Sequence, residues 1–441
     1  MVRSVTNPEQ VDIPAASFTT QQYRLPNGLR VVLSPDRGVP VVGVAVVYDI
    51  GIRMEPQGRT GFAHLFEHLM FQGSANVAKL EHMGYVQGSG GTLNGSTHLD
   101  YTDYYELLPS NALERALFLE ADRMRGPAIT EENLANQIDV VKEEIRVNVL
   151  NRPYGGFPWL KLPPVMFDTF PNAHDGYGSF EDLEAASVAD AQAFFDTYYA
   201  AGNAVLTVAG DFEVGEAMKL IERHFSDVPA RGAPVHPDID EPDLTSQRRD
   251  SYVDPRAPLP AVAAAWRVPD PVKDLAGYLP YVVLGELLTD GDASRLVERL
   301  IQKDRSATSV SAGLGFMGEP FAVRNPTAIV MQAHLPVDGN VDNLLGTVDE
   351  ELARVAQDGL APGELNRVVA RIAFHLLHEN DSVINRALQL GTAEALHGDA
   401  RIVADLPRLL GQVTEDQVVA AAAAMVPDRR ASIEVIAKGA K

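Results

Sequence analysis

The chain has 441 residues, 46% of them apolar and 22% charged, which predicts two or more folded domains and excludes a mainly disordered protein. Its 37 basic and 60 acidic residues give a net charge of −23, which argues against a nucleic-acid-binding protein. The absence of cysteine excludes disulfide frameworks, thiolate nucleophiles and cysteine-ligated zinc.

The N-terminal residues 1–14 lack a basic stretch followed by an apolar run, so we expect no signal peptide. The sequence has no apolar run of about 20 residues, so we predict no transmembrane helix and expect a cytoplasmic protein. A strand pair is then predicted around a Pro-Asn-Gly turn at 26–28, followed by a buried strand over 41–48. Apolar residues at helical spacing predict helices from Thr60, over 111–125 and over 131–150.

Predicted strands and helices continue to residue 436, with one interruption. Residues 229–250 are rich in proline and acidic residues, and we interpret them as a linker. Before the linker, the predicted elements are a loop through Gly178, helix 188–200, strand 203–208 and helix 214–225. After it, they are strand 261–266, helices 278–288 and 294–302, strands 309–316 and 328–335, helices 341–357 and 362–378, and strand 431–436.

The order of elements after the linker resembles the order before it, which indicates a distant internal duplication. We predict an α+β or α/β fold of two homologous, layered halves, each a mostly antiparallel sheet packed with helices. The expected domains are an N-terminal domain over 1–228 and a C-terminal domain over 251–441, joined by the linker.

The residues His64-Leu65-Phe66-Glu67-His68 form an H-x-x-E-H box inside the helix predicted from Thr60. His64 and His68 are four residues apart, so they project from one helix face about one turn apart and can bind one Zn²⁺ together. Glu67 can reach a water molecule beside that metal. This order of residues is the inverzincin signature. Because the chain has no cysteine, the third protein ligand should be His, Asp or Glu.

The box and its surroundings resemble the pitrilysin-type zinc peptidases, in particular the short-chain group with bacterial processing proteases and the mitochondrial processing peptidase. The likeness is specific over 20–210, and besides the box it rests on the segments 51–55, 70–74, 90–97 and 140–146. It implies a zinc-dependent protease whose third ligand is Glu144, 76 positions after His68. Glu143 is the alternative ligand, one residue earlier on the same helix.

The resemblance also implies roles around the metal. Segment 90–97 would form a strand edge along which the substrate lies extended, with Asn94 and Gly95 contacting its backbone. Gln137, seven residues before Glu144, stands where much of the family has a second glutamate that assists the site, so the orientation of the ligand is open. The N-terminal domain would therefore be the catalytic one, and the C-terminal domain would hold no metal.

The second half departs from the family at one place. Many members carry an arginine and a tyrosine seven residues apart there, which contact the substrate, whereas this chain has Ile301 and Thr308. Neither side chain can replace the hydrogen bonds of that pair. We therefore expect a heterodimer in which a second homologous subunit supplies the pair. A homodimer is the alternative.

The expected function is that of a zinc endopeptidase that hydrolyses peptides or small unfolded polypeptides in a closed cavity, with Glu67 as the general base. Two alternatives stay open: a non-catalytic peptide-binding or scaffold subunit of the same family, and a zinc hydrolase that acts on another class of substrate. If part of the negative charge lines the cavity, basic peptides would be favoured.

Overall fold

A computed structural model describes residues 13–316 and 320–438. The expectation that the chain has no leader was based on residues 1–14 and thus lies almost wholly outside the described residues. The described ranges contain eleven strands in two sheets: β1 Gln21–Arg24, β2 Arg30–Pro35, β3 Val41–Tyr48, β4 Thr92–Thr97, β5 Thr102–Pro109, β6 Ala204–Gly210, β7 Arg248–Asp254, β8 Ala261–Val268, β9 Ser309–Leu314, β10 Thr327–His334 and β11 Arg430–Ala437.

The α-helices pack on these sheets, and none in the described part of the chain combines the length and the hydropathy needed to span a membrane. They are α1 Phe62–Leu69, α2 Glu81–Gly88, α3 Leu113–Arg125, α4 Glu131–Ile145, α5 Pro163–Met166, α6 Phe170–Ala173, α7 Phe180–Glu184, α8 Val188–Tyr198, α9 Val214–Phe225, α10 Leu275–Thr289, α11 Val341–Asp358, α12 Glu364–Glu379, α13 Val383–His397, α14 Ile402–Leu410 and α15 Glu415–Ala424.

The two sheets share one connectivity. The first has the strand order β1-β2-β6-β3-β5-β4 and the second β7-β11-β8-β10-β9, so the second sheet repeats the first from its second strand onward. Each sheet contains one parallel pair, β2 with β6 and β7 with β11, and its other neighbours are antiparallel. The predicted fold class, two homologous halves with mostly antiparallel sheets and helices, is thereby confirmed.

Strand β3 is a nearly continuous run of Val and Ala because both of its faces are covered. Val44 and Val46 belong to the core that includes residues of α1, α3 and α9, while Ala45 and Val47 contact α13 on the opposite face. A strand covered on both faces shows no polar alternation. Helix α13 was not predicted, because the sequence pattern left residues 379–430 without assigned elements.

The linker region contains no helix or strand over residues 229–247, but β7 begins at Arg248. The last three residues of the predicted linker therefore belong to the second sheet. Strand β7 lies at the edge of that sheet, and its sequence Arg-Arg-Asp-Ser-Tyr-Val-Asp is mostly exposed, so it lacks the hydrophobic pattern of a buried strand. The helix predicted over 131–150 ends as α4 at Ile145 and continues as a π-helical turn to Leu150.

An ionic network joins the two halves. Arg324 donates from both terminal nitrogens to the carboxylate of Asp49, at 2.7 and 2.9 Å, and its backbone N–H donates to Asp100 at 2.7 Å. Asp100 also pairs with the buried Arg53 at 3.2 Å, and Arg53 in turn donates to the backbone carbonyl of Arg324. Burial favours the neutral form of Asp49, but hydrogen bonds from His236 and Arg324 outweigh it and lower the pKa of this carboxyl.

We expect the Arg324→Ala variant to lose about 3 kcal/mol of unfolding free energy at neutral pH, because it leaves Asp49 without its bidentate partner. The lowered pKa of Asp49 means that this stabilisation is present above the unfolded pKa of about 3.9 and is lost as the pH falls through the folded pKa. Denaturant titrations of both proteins should therefore converge in acid. Arg408→Ala, which removes an exposed pair with Asp405, is the control and should change stability by less than about 1 kcal/mol. A similar loss in both variants would contradict this role.

Candidate metal centre

The start of α1 is held by a buried carboxylate. Glu55 accepts hydrogen bonds from the backbone N–H groups of Gly61 at 2.9 Å and Ala63 at 2.7 Å, so it caps the helix that carries the H-x-x-E-H box. His174 lies 3.1 Å from the same carboxylate through its Nε2 atom. Burial opposes the charge of His174, but the hydrogen bond to Glu55 raises its pKa. The pair fixes where α1 begins, which is a structural role for His174.

Helix α4 crosses α1 and brings Glu144 to the box. Its first turn is capped by Thr130, whose hydroxyl oxygen accepts from the N–H of Asn133 at 3.1 Å. Val141, one turn before Glu144, is fully buried in the core that also contains Leu65 and Phe66 of α1. The apolar contact between the two helices therefore places the carboxylate of α4 opposite the imidazoles of α1.

Three donor atoms converge between these helices. The Nε2 atoms of His64 and His68 lie 3.3 Å apart, and Glu144 Oε2 lies 3.6 Å from the first and 3.4 Å from the second. Tetrahedral zinc with its usual ligand distances separates neighbouring ligand atoms by about 3.3–3.6 Å, so the three donors fit this ion. Glu143 is mostly exposed and pairs with Arg146 at 3.1 Å, so the structure brings Glu144 rather than Glu143 to the histidines.

The protonation of His64 and Glu144 suits a cation. Burial, followed by the neighbouring His68, lowers the pKa of His64 to about 4, so its imidazole is neutral at physiological pH. The hydrogen bond from His68 lowers the pKa of Glu144, which keeps the carboxylate ionised. The Nδ2 group of Asn148 donates to the other oxygen of Glu144 at 3.4 Å. Neutral imidazoles and an ionised carboxylate are the forms that bind a metal.

Glu67 is oriented by a residue that the sequence did not single out. Its Oε2 atom accepts a hydrogen bond from the hydroxyl group of Thr97, at 2.7 Å. Burial raises the pKa of Glu67, while this hydrogen bond acts in the opposite direction. Thr97 ends β4, two residues after Gly95, so the two residues lie on the same face of the strand. This two-residue spacing from Gly95 was the sequence signal that could have identified Thr97.

Strand β4 forms the edge of the first sheet, with β5 as its neighbour among the described strands. Asn94 is exposed on β4, whereas Gly95 is buried, and a Cβ atom at Gly95 would come within 3.1 Å of Tyr104 and 3.2 Å of Phe71. A side chain there would thus displace two aromatic rings. The backbone edge at Asn94 and Gly95 lies on the same strand as Thr97, and no described strand pairs with it on the side away from β5.

The remaining predicted positions lie away from the three donors. Gln137 is buried on α4 and donates to the side chain of Asn136 at 2.7 Å, so its assisting role stays a prediction. Ile301 packs against the core of the second half. Thr308 is exposed, and its hydroxyl donates to the carbonyl of His334 at 3.2 Å.

Two family models match this chain. Residues 30–153 match "Insulinase (Peptidase family M16)", and residues 185–372 match "Peptidase M16 inactive domain". The chain belongs to the M16 peptidase family. The first match includes the H-x-x-E-H box and Glu144.

Several named proteins resemble this M16 chain. It is 29% identical over 305 residues to zinc protease PqqE of Helicobacter pylori, a match that covers 66% of this chain and 68% of PqqE. It is 27% identical over 410 residues to an uncharacterized zinc protease of Mycobacterium tuberculosis, covering 93% of this chain and 91% of that protein. Mitochondrial-processing peptidase subunit beta of Blastocladiella emersonii is 27% identical over 239 residues, 52% of this chain and 49% of the subunit. A protease of Helicobacter pylori shares the fold with a TM-score of 0.86 at 22% identity, over 95% and 99% of the two chains.

A second group of possible metal ligands in this M16 chain is already neutralised. His82, Glu106 and Glu120 bring donor atoms together in the core, but Arg123 donates to both oxygens of Glu120. The guanidinium group of Arg123 lies 4.5 Å from the ring centroid of Tyr104. Burial raises the pKa values of Glu106 and Glu120 to about 7, which further disfavours a doubly ionised pair. This group therefore stabilises the core with its own cation, whereas the group on α1 and α4 has none.

Proposed function

We propose that this chain is a zinc-dependent endopeptidase that hydrolyses peptides or small unfolded polypeptides. The observation that carries the proposal is the convergence of His64, His68 and Glu144, with donor atoms 3.3–3.6 Å apart, beside a carboxylate that is not a ligand. The relatives named zinc proteases support it. His64, His68 and Glu144 would hold the metal, and Glu67 would act as the general base.

A zinc ion held at this centre would polarise the scissile carbonyl and acidify the attacking water. Glu67 accepts the proton of that water and returns it to the leaving amine. Thr97 holds one oxygen of Glu67 by a hydrogen bond of 2.7 Å, which leaves the other oxygen for the proton transfer. The partial exposure of His68 and Glu144, 21% and 31%, leaves the centre accessible to a substrate.

The substrate would bind as an additional strand beside β4. The open edge supplies main-chain hydrogen bonds that tolerate many sequences, as expected for an enzyme that acts on unfolded chains. Asn94 and Gly95 lie on this edge, and Thr97 joins the same strand to Glu67. A peptide aligned along β4 would therefore pass the end of the strand that contacts the general base.

We expect Thr97→Val to lower kcat about tenfold, because Glu67 loses the hydrogen bond that orients it. KM should change little, since the hydroxyl faces Glu67 rather than the edge of the strand. Thr97→Ser keeps the hydroxyl group and should recover most of the rate. Steady-state kinetics on one peptide, with zinc content measured in parallel, gives the result. Equal losses in the valine and serine variants would show that Thr97 acts only through packing.

The direct experiment is cleavage of an internally quenched, unstructured peptide by the purified protein, with and without a zinc chelator. An endopeptidase should cut an internal bond, lose activity with the chelator and regain it with one equivalent of zinc. Cleavage that continues after complete removal of zinc would refute the proposal.

We further propose that this chain is the metal-bearing subunit of a heterodimer. Ile301 packs against the core of the second half, and the hydroxyl of Thr308 donates to a backbone carbonyl, so neither provides a charged or phenolic donor. One relative is itself named a subunit of a processing peptidase. Co-purification from the native cell should yield a second homologous chain that has an Arg/Tyr pair. Full activity of the isolated chain as a homodimer would overturn this proposal and support the homodimer.

The second candidate function is a non-catalytic peptide-binding or scaffold subunit. The match of residues 185–372 to a model described as an inactive domain is the observation that favours it. The two candidates differ in turnover, because a scaffold would bind peptides along β4 without cleaving them even when zinc and the native partner are present. The cytoplasmic location stays a prediction from the sequence.

A further inference from the structure

A cavity of about 620 Å³ lies between the two halves, on the opposite face of the first sheet from α1. Its floor is formed by β4 and β5 and its walls by α10, α12, α13 and α14. Strand β4 separates it from the candidate metal centre, since Thr97 faces Glu67 while its neighbours Ser96 and His98 line the cavity. The volume is within the range of small-molecule sites, about 300–1,000 Å³.

The charged side chains that line this cavity are carboxylates, and they lie beside three histidines, His98, His375 and His397. Four carboxylate side chains line it, and no lysine or arginine does so among the described residues; the four are Asp103, Glu286, Asp290 and Glu379. Arg371 approaches from outside the lining and pairs with Asp290, and it lies 3.9 Å from Glu286. This one guanidinium group serves Asp290 and Glu286, whereas Asp103 lies beside His98 and Glu379 accepts a hydrogen bond from Gln389. Burial and the neighbouring Asp290 raise the pKa of Glu286 to about 7, although Arg371 acts in the opposite direction.

Asp103 has an oxygen atom that lacks a partner. Only 3% of this residue is exposed, and its Oδ2 atom lies 3.4 Å from Nε2 of His98. The Oδ1 atom is buried and accepts no hydrogen bond from the described residues. A buried carboxylate oxygen without a donor is destabilising, and a donor from a bound molecule would satisfy it. Asp103 lies directly opposite Ser96 in the pairing of β4 with β5, so β4 alone separates it from the proposed substrate strand.

The remaining walls are apolar. They are formed by side chains from α10, α12, α13 and α14, among them Val282, Leu376, Leu388 and Leu406. An apolar enclosure with a few carboxylates at one side suits a molecule with an aliphatic stem and a positively charged end. A bare metal ion does not suit it, because the carboxylates of the cavity do not form a group of three converging donors among the described residues.

We propose that this cavity binds an aliphatic cation, an ammonium or guanidinium group on an apolar stem, with Asp103 as the main acceptor. The cation has two possible sources. It is either a free alkylamine or alkylguanidine, or the basic side chain of a peptide aligned on β4, whose alternate side chains would point to this face of the sheet. The second source rests on the proposed function, whereas binding of a free cation does not depend on zinc or on turnover.

The test is isothermal titration of the full chain with butylguanidinium at low ionic strength, with the neutral butylurea as the matched probe. We expect saturable binding of one butylguanidinium per chain and at least about tenfold weaker binding of butylurea. Asp103→Asn should weaken butylguanidinium about tenfold or more, while Asp416→Asn, at the exposed start of α15, should have no effect. Equal binding of both probes, or unchanged affinity in Asp103→Asn, would overturn the proposal.

A second variant protects the test against misfolding. If Asp103→Asn lowers the melting temperature, Glu286→Gln replaces it, and it too should weaken butylguanidinium; an unchanged affinity would count against the site. A Glu67→Gln chain, which should not cleave peptides, then assigns the source with a peptide that carries a single arginine and its citrulline analogue. If the arginine peptide displaces butylguanidinium and the citrulline peptide does not, the cation is a substrate side chain. If neither peptide displaces it, the site binds a free cation. Both results support a cation site, and neither depends on catalysis.

Discussion

Replacing Glu67 with glutamine is expected to lower kcat for peptide hydrolysis by about 100- to 10,000-fold while the chain still binds one zinc ion. The physical reason is that the amide cannot accept the proton of the attacking water. Glu67 is not one of the three converging donors, and its nearest polar contact is the hydroxyl of Thr97. The metal should therefore stay in place when this carboxylate is neutralised.

The Glu67→Gln experiment combines single-turnover kinetics with zinc analysis of the same preparation. Wild-type chain from the same purification is the control for zinc content, and a matched melting temperature shows that the fold is intact. Activity close to wild type in this variant would show that another group is the base. Loss of zinc together with activity would place Glu67 among the ligands, which contradicts the geometry described above.

Replacing Glu144 with glutamine is expected to weaken zinc binding by more than about 100-fold. Mutating a residue that only hydrogen-bonds to a metal ligand already lowers metal affinity by about 10- to 100-fold, and a ligand should contribute more. The neighbouring Glu143 gives a matched control, since Glu143→Gln changes the same charge one residue earlier on α4. Glu143 is exposed and pairs with Arg146, so its variant should keep wild-type affinity. Competition with a zinc-binding dye measures both.

The Glu143 and Glu144 pair also tests the register of α4. A one-residue step turns a helical side chain by about 100°, so only one of the two can face α1. If Glu143→Gln lost zinc and Glu144→Gln retained it, the ligand assignment would move by one residue. Equal weakening in both variants would indicate that general negative charge, and not a specific ligand, attracts the metal.

Much of the half that contains the candidate metal centre could be predicted from local patterns. The apolar spacing of Phe62, Leu65 and Phe66 predicts α1, and the four-residue step from His64 to His68 places both imidazoles on one face. The third donor could not be obtained in this way. The residues between His68 and Glu144 include strands β4 and β5, helices α2 and α3 and most of α4, and no periodicity extends across them. The resemblance to a family therefore supplied that donor.

The features that the sequence missed depend on contacts between distant segments. Glu55 caps α1 from a loop, Thr97 reaches Glu67 from the sheet edge, and Asn148 contacts Glu144 from a π-helical turn. Each of these is a common polar residue whose role appears only when two elements meet. Strand β7 was not predicted, and its first three residues were placed in the linker, because edge strands are polar. Helix α13 was also missed, although it packs on the central strands β3 and β6 of the first sheet.

The most direct measurement is zinc-dependent cleavage of an internally quenched peptide by the protein isolated from its native cell with any bound partner. We expect an internal cut that disappears when zinc is removed and returns with one equivalent of zinc per chain. A preparation with one zinc ion bound per chain that leaves every unfolded peptide intact, partner present, would contradict the assignment as an endopeptidase.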